Sequence, residues 1–177
     1  MDAASLLRRL EHFPRGLVAL VEPLTVEEVR WKPESGNFSI LEVLCHLGDE
    51  EVEDFRARVV STLTDPAATW PPIDPTQWPA ERHYQQQSAH TALHRFGAAR
   101  TESLRILRSL TPTGDASLLD WTRSHHHPKV GPVPAGELLT AWAAHDALHL
   151  RQIAKRMFEL CAHEGGHRTT YAGEWGS

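Results

Sequence analysis

His145 and His149 stand four residues apart in a periodic segment, residues 138–153. A helix turns about 100° per residue, so positions i and i+4 lie roughly 40° apart, one above the other on one face. Two imidazoles placed that way can share one metal ion. His46 lies far upstream in a second helical segment, Ser39-Ile-Leu-Glu-Val-Leu-Cys-His-Leu-Gly-Asp-Glu-Glu51. A ligand triad therefore requires two helices to pack side by side. Three neutral imidazoles leave a divalent ion its full charge and an open coordination position. Such an ion lowers the pKa of a bound water or thiol and so makes a nucleophile at neutral pH.

The elements that must position these residues follow from the rest of the chain. A length of 177 residues has room for one domain, 1–177, with enough interior to bury a core without cross-links. A net charge of −5 with interspersed signs leaves no basic patch, which excludes nucleic acid and anionic membrane as partners. No cationic leader opens the chain, and no stretch approaches the roughly 18 apolar residues of a spanning helix. These features predict a soluble, unexported protein. Cys45 and Cys161 lack the paired spacing of a zinc site or a disulfide framework, which fits a reducing cytoplasm.

Helical period marks residues 3–21, 39–63, 83–110 and 135–163, separated by Pro-rich and Gly-rich punctuation. Pro14 falls inside the first segment and either kinks that helix or divides it. Asn37 or Ser39 can cap the second, with Glu42 completing a capping box behind Ser39. Residues 64–82 form a long connection between helices 2 and 3 that carries Trp70, Trp78 and several prolines and is expected to pack over the bundle. No run of alternating β character is evident. The fold class predicted is all-α, a four-helix bundle.

Twelve histidines supply ligands but also make accidental His-x-x-x-His pairs, and helical phase sorts them. Leu138, Leu139, Trp142, Ile153, Met157 and Leu160 define an apolar stripe that contains His149 and has His145 near its edge. His90 and His94 share the spacing but lie opposite the stripe of Ala92, Phe96, Ala99, Ile106 and Leu110, so they read as solvated. His163 and His167 straddle Gly165-Gly166, where a helix should have ended. His46 sits about 60° from Val43 at the margin of its helix's apolar arc, and Glu50 and Glu53 continue that margin. The neighbourhood is therefore expected to be polar and water-accessible, as a catalytic metal requires.

Two stretches carry a resemblance. One spans residues 24–58, with Trp31-Lys-Pro, the Asn37-Phe-Ser segment running through Cys45-His-Leu to Glu51, and Arg56. The other holds Trp121, His127-Pro-Lys-Val-Gly131 and Ala144-His-Asp-Ala-Leu-His-Leu-Arg-Gln-Ile153. Together they resemble the DinB-like (YfiT-like) superfamily over nearly the whole chain. The resemblance implies an up-down-down-up bundle with a divalent ion held by three histidines, His46, His145 and His149. Family members include thiol-dependent S-transferases using bacillithiol or mycothiol, a thiol-dependent isomerase, and the metal-binding domain of some oxidative sulfur-transfer enzymes. Asn37-Phe38-Ser39 departs from the family pattern, in which a Trp commonly precedes the Ser.

Other polar residues divide between roles. Glu50 shares the His46 face and is the candidate for acid/base or supporting chemistry, against the reading of a solvated Glu in the run Asp49-Glu50-Glu51. Asp146 points about 100° from His145 and suits a contact with a neighbouring helix. Gln152 shares the His149 face and can hydrogen-bond an imidazole. His125, His126 and His127 fall in the loop before the last helix; the resemblance implies His127 as the one best placed at the mouth, while the residues themselves favour a surface cluster. Cys45, adjacent to His46, diverges from it by about 100° and reads as a buried inert thiol.

Three functions remain open. A cytoplasmic metalloenzyme would activate a low-molecular-weight thiol or water against a small electrophilic substrate, using zinc, nickel or iron. A metal-binding, stress-linked protein would do no chemistry of its own. A purely structural bundle would hold its histidines without metal. A homodimer is compatible with exposed apolar surface on a small bundle.

Overall fold

The computed structural model of the chain describes residues 1–165, 169, 171–173 and 175. Asp2 caps the first helix, α1 (Ala3–Val21), by accepting from the Ser5 amide at 3.0 Å, and α1 continues unbroken through Pro14. A short α2 (Val26–Arg30) follows, started by a capping box of Thr25 and Glu28 that the sequence reading passed over. Ser39 opens α3 (Ile40–Glu50): its hydroxyl accepts from the Glu42 amide at 3.2 Å and the Glu42 carboxylate accepts from the Ser39 amide at 2.9 Å. The rod continues through a π-helical turn, Glu51–Arg56, into α4 (Ala57–Thr64). Turns of this kind are frequent where a helix serves a functional site.

The connection holds α5 (Trp78–Glu81), a left-handed His83 at φ 50° and a 3₁₀ turn, Tyr84–Gln86. Helical structure expected from residue 83 therefore begins only at α6 (Ala89–Ser109), capped by Ser88. The reason is Tyr84, which is drawn into the core and donates its hydroxyl to Asp49 at 2.5 Å, a position a straight helix would not give it. A second difference is a two-stranded antiparallel hairpin, β1 (Ser124–His127) with β2 (Gly131–Pro134), where a loop was expected. Positive φ at Gly131 closes that turn, and β2 leads directly into α7 (Ala135–Gly165). His163 is an exposed residue of the last turn of α7, and His167 lies outside the described residues.

Side-chain pairs fix the directions. Glu50 meets His145 and His46 meets His149, so α3 runs antiparallel to α7. Asp49 meets Arg95 and Glu51 meets Arg100, so α3 runs parallel to α6. Glu11 meets Arg108 and Phe13 meets Phe96, which makes α1 antiparallel to α6. The bundle is thus up-down-down-up. A parallel α3–α4 rod and α6 explain the long connection: residues 65–88 must carry the chain back along the bundle before α6 can start.

Two apolar clusters fill the interior. One gathers Leu17, Val21, Leu41, Leu44, Phe96 and Ile153. The other gathers Leu10, Val59, Leu63, Leu107, Leu139 and Trp142. Between them the facing helices contribute a polar layer instead of hydrocarbon, and every candidate ligand belongs to it.

Candidate metal centre

The polar layer starts from three consecutive carboxylates, all buried: Asp49, Glu50 and Glu51. Successive helical residues diverge, so each reaches a different neighbour. Asp49 takes the Tyr84 hydroxyl together with Arg82 and Arg95, each at 3.0 Å. Glu51 faces α6 and α7, where it accepts from the Trp142 indole at 2.9 Å and from Arg100. Glu50 faces the histidines, with its carboxylate 2.6 Å from His145 Nε2 and 3.4 Å from His46 Nε2. The reading of Glu50 as a solvated member of an acidic run is corrected by that burial.

His46, Glu50, His145 and His149 each offer a ligand atom, and these atoms all lie within 4.8 Å of one another. Among the described residues no other group of three or more His, Cys, Asp or Glu converges in this way. The ring centroids of His46 and His149 are 4.9 Å apart, and those of His145 and His149 are 4.2 Å apart. His149 and His145 bring their Nε2 atoms to 2.8 Å, while His149 Nδ1 lies 2.8 Å from Gln152 Oε1. A carbonyl oxygen can only accept, so Nδ1 carries the proton and Nε2 presents its lone pair inward.

These residues fit a divalent cation. His46 is buried, yet among the described residues it has no hydrogen-bond partner at Nδ1, and its Nε2 faces only Glu50. The nitrogen turned toward the cluster is Nε2, 3.4 Å from Glu50, and it is the one that coordination at the shared point would use, with Nδ1 as the ring's other, protonated nitrogen. Ligands about 2.0–2.1 Å from one tetrahedral ion stand about 3.3 Å apart, within the span these four atoms cover. Burial, then the neighbouring charge of His145, pushes His46 below its ordinary value despite Glu50. Burial and the charges of His145 and His46 bring His149 down to about 3. Neutral imidazole is the form that binds metal. Burial alone would raise Glu50, but the His145 hydrogen bond and the nearby imidazoles outweigh it and hold the carboxyl below its usual value.

The surroundings differ from the water-accessible margin expected for His46. Every residue of α3 is buried, because the Phe38 ring lies 5.8 Å from His46 and the bundle covers the other faces. The π turn places Phe55 against both the Trp142 ring, stacked at 5.9 Å, and the His145 ring at 4.8 Å. His145 keeps the most exposure of the four, 15 % of its side chain.

Other expectations resolve individually. His90 and His94 are exposed on α6, away from the cluster. His125 is buried beside Trp70, rings stacked at 4.0 Å, with Nδ1 3.1 Å from the Pro66 carbonyl. His127 lies 6.0 Å from the same indole, and none of the three hairpin histidines joins the metal-ligand cluster. Burial pushes the Cys45 thiol up to about 12, an inert state.

The sequence reading missed Arg100. Its Nε and Nη2 contact Glu51 at 3.0 and 2.9 Å, its Nη1 and Nη2 contact Asp146 at 2.8 and 2.9 Å, and Nη1 also donates to the Leu10 carbonyl at 2.8 Å. Four hydrogen bonds and an added ion pair from Nη2 to Glu51 let one guanidinium join α1, the π turn that follows α3, α6 and α7. Asp146 and Glu51 each follow a residue of the cluster, so this tie holds both helices in register at the site. The available signal was an Arg at position 100, where Phe96, Ser103 and Leu107 mark the buried face of α6.

Comparison with known proteins agrees with this architecture. A protein of Oceanobacillus iheyensis, named by inference as a metal-dependent hydrolase, is 26% identical over 147 residues, covering 83% of this chain and 81% of the relative. YfiT from Bacillus subtilis, described as a probable metal-dependent hydrolase with an unusual four-helix bundle topology, superposes with a TM-score of 0.68 at 20% identity over 88% of this chain and 87% of that one. The sequence pattern of the DinB superfamily matches residues 9–153, a span that takes in most of α1, the His46 helix, and His145 and His149 of α7. With the bundle order, the crossing of the histidine-bearing helices and the matched span in agreement, the chain belongs to the DinB superfamily.

Proposed function

We propose that the protein is a metal-dependent enzyme in which His46, His145 and His149 hold a divalent ion, zinc, nickel or iron, and a water or low-molecular-weight thiol is activated against a small electrophilic substrate. The observation that carries this reading is the meeting of His46 from α3 with His145 and His149 from the antiparallel α7 at one buried point. A divalent ion bound there supplies a lowered pKa for the water or thiol and polarises the electrophile.

The chain's own groups do the rest. Gln152 fixes the His149 tautomer by accepting from Nδ1–H, keeping Nε2 free to bind. Glu50, held ionised by its histidine neighbours, accepts the proton released by the nucleophile and returns it to the leaving group. Phe38, Phe55 and Trp142 exclude bulk water, which strengthens each charge interaction in the layer. The name of the relative in Oceanobacillus iheyensis favours water over thiol as the nucleophile. The free Cys45 and Cys161 suit a reducing cytoplasm.

Burial of the cluster favours a second reading, a metal-binding protein without turnover. Elemental analysis of untagged protein, followed by assay with ester, amide and thiol-plus-electrophile panels, separates the two. Near one divalent ion per chain with metal-dependent turnover is the expected result. Metal without turnover selects the second reading, and no stoichiometric metal overturns both. His149→Ala is expected to abolish metal uptake while His94→Ala keeps it; equal retention in the two variants would overturn the ligand assignment.

A further inference from the structure

A recess of about 470 Å³ opens beside the histidine cluster, between the loop that precedes α3 and one face of α7. Asn37 and Phe38 form the loop wall, and Arg151, Gln152, Lys155 and Arg156 form the helix wall. The helix positions recur at intervals of three and four, so their side chains share a face. The recess abuts the cluster from both sides: Phe38 lies against the His46 ring at 5.8 Å, and Gln152 bonds His149 at 2.8 Å.

Its charge is unlike that of the whole chain. The protein carries a net −5, yet three cations and no carboxylate line this recess. Arg156 is buried and paired with Glu159. Arg151 and Lys155 have no ion-pair partner among the described residues, and Arg151 is exposed. A guanidinium and an ammonium on one wall, with the Gln152 side chain beside them and Asn37, whose amide donates to Ser35 Oγ at 2.9 Å, on the other, are suited to an oxyanion: a carboxylate or a phosphate.

We infer that this recess seats the anionic end of the small molecule whose reacting end reaches His46, His145 and His149, so that the substrate or cosubstrate is a carboxylate or phosphate compound. The inference rests on the reading of the cluster as the reacting centre. Gln152 links the two ends, touching the ligand histidine on one side and the recess on the other.

The test is a titration of metal-free, isotopically labelled full-length protein followed by amide and imidazole resonances. Succinate and inorganic phosphate are the probes, and succinamide is the neutral control. Succinate or phosphate is expected to move amides of residues 36–38 and 148–156 and the His149 ring, with succinamide silent. Arg151→Gln combined with Lys155→Gln should weaken binding at least ten-fold, and the same spectra report that the variant is folded. The succinate and phosphate arms distinguish the two oxyanion classes. Shifts at other residues, equal binding of succinamide, or unchanged affinity in the double variant would overturn the proposal. Anion binding by a protein that takes up no metal would sink the reading of the cluster and leave the recess standing. Metal uptake without anion binding would sink the recess alone.

Discussion

Arg100 of α6 grips Asp146 of α7 through two parallel hydrogen bonds, 2.8 and 2.9 Å long, one residue past His145. Its other donors reach Glu51, one residue past Glu50, and the Leu10 carbonyl. The same guanidinium lies 5.0 Å from the Phe96 ring centre and 5.4 Å from that of Trp142. A buried ionic tie thus joins the apolar packing between the two helices that bear the candidate ligands, at the level of the histidines. Registry is the best-attested use of such pairs, since a buried ion pair adds little net stability over packed hydrocarbon.

Removing the cation alone is therefore severe. Arg100→Leu leaves Glu51 and Asp146 buried without a counter-charge and is expected to destabilise the fold by about 3–5 kcal/mol, read from denaturant unfolding. Arg100→Lys should not restore it, because an ammonium cannot span Asp146, Glu51 and Leu10 together. A loss below about 1 kcal/mol in both variants would show that the tie is not structural.

How much of this was legible in the sequence depends on the range of the interaction. Capping is local, so Ser39 and Glu42 announced the start of α3, and the 3.6 period announced the inward face of His145 and His149. His46 and Glu50 were placed on the correct face but given the wrong environment. Water access depends on Phe38 and on a π turn that brings Phe55 beside His145, and neither follows from one helix's phase. The hairpin was hidden because Ser124–His127 carries no alternating apolar pattern; His125 is its inward residue and packs on Trp70 instead of on a sheet. Arg100 was hidden for the opposite reason: its partners lie more than forty positions away in either direction.

Glu50 can serve the site as a proton acceptor or as a fourth ligand, and one substitution separates these roles. Glu50→Gln keeps the shape and removes the charge beside His145 and His46. In the role proposed, metal content stays near one per chain while turnover falls on the order of 100-fold. Loss of metal in parallel with activity, measured by elemental analysis, would instead make Glu50 a ligand.

Thiol titration tests the burial of α3 independently of metal. Cys45 is buried with its pKa pushed up to about 12, so at pH 8 on the order of one molecule in 10⁴ carries the reactive thiolate. Cys161 is exposed on the last turns of α7. Native protein should release one fast equivalent with a disulfide reagent and a second only after unfolding, and Cys161→Ser should remove the fast phase. Two fast equivalents in the native state would mean that α3 is open to solvent.

The neutral imidazoles make the metal-free protein acid-sensitive. Burial and the neighbouring histidines depress His149 to about 3, against about 6.5 for an unfolded chain. The unfolded state therefore takes up the proton first as pH falls. The contribution to stability is fully present above about pH 6.5 and is lost progressively toward pH 3, at a limiting slope of about 1.4 kcal/mol per pH unit. His46 is depressed for the same reason and steepens the loss. Urea unfolding of chelator-treated protein at pH 7 and pH 5 should show the decline, and His149→Gln, which cannot titrate, should flatten it. A wild-type protein equally stable at both pH values would mean that these rings are already charged in the fold, which neutral ligand geometry does not allow.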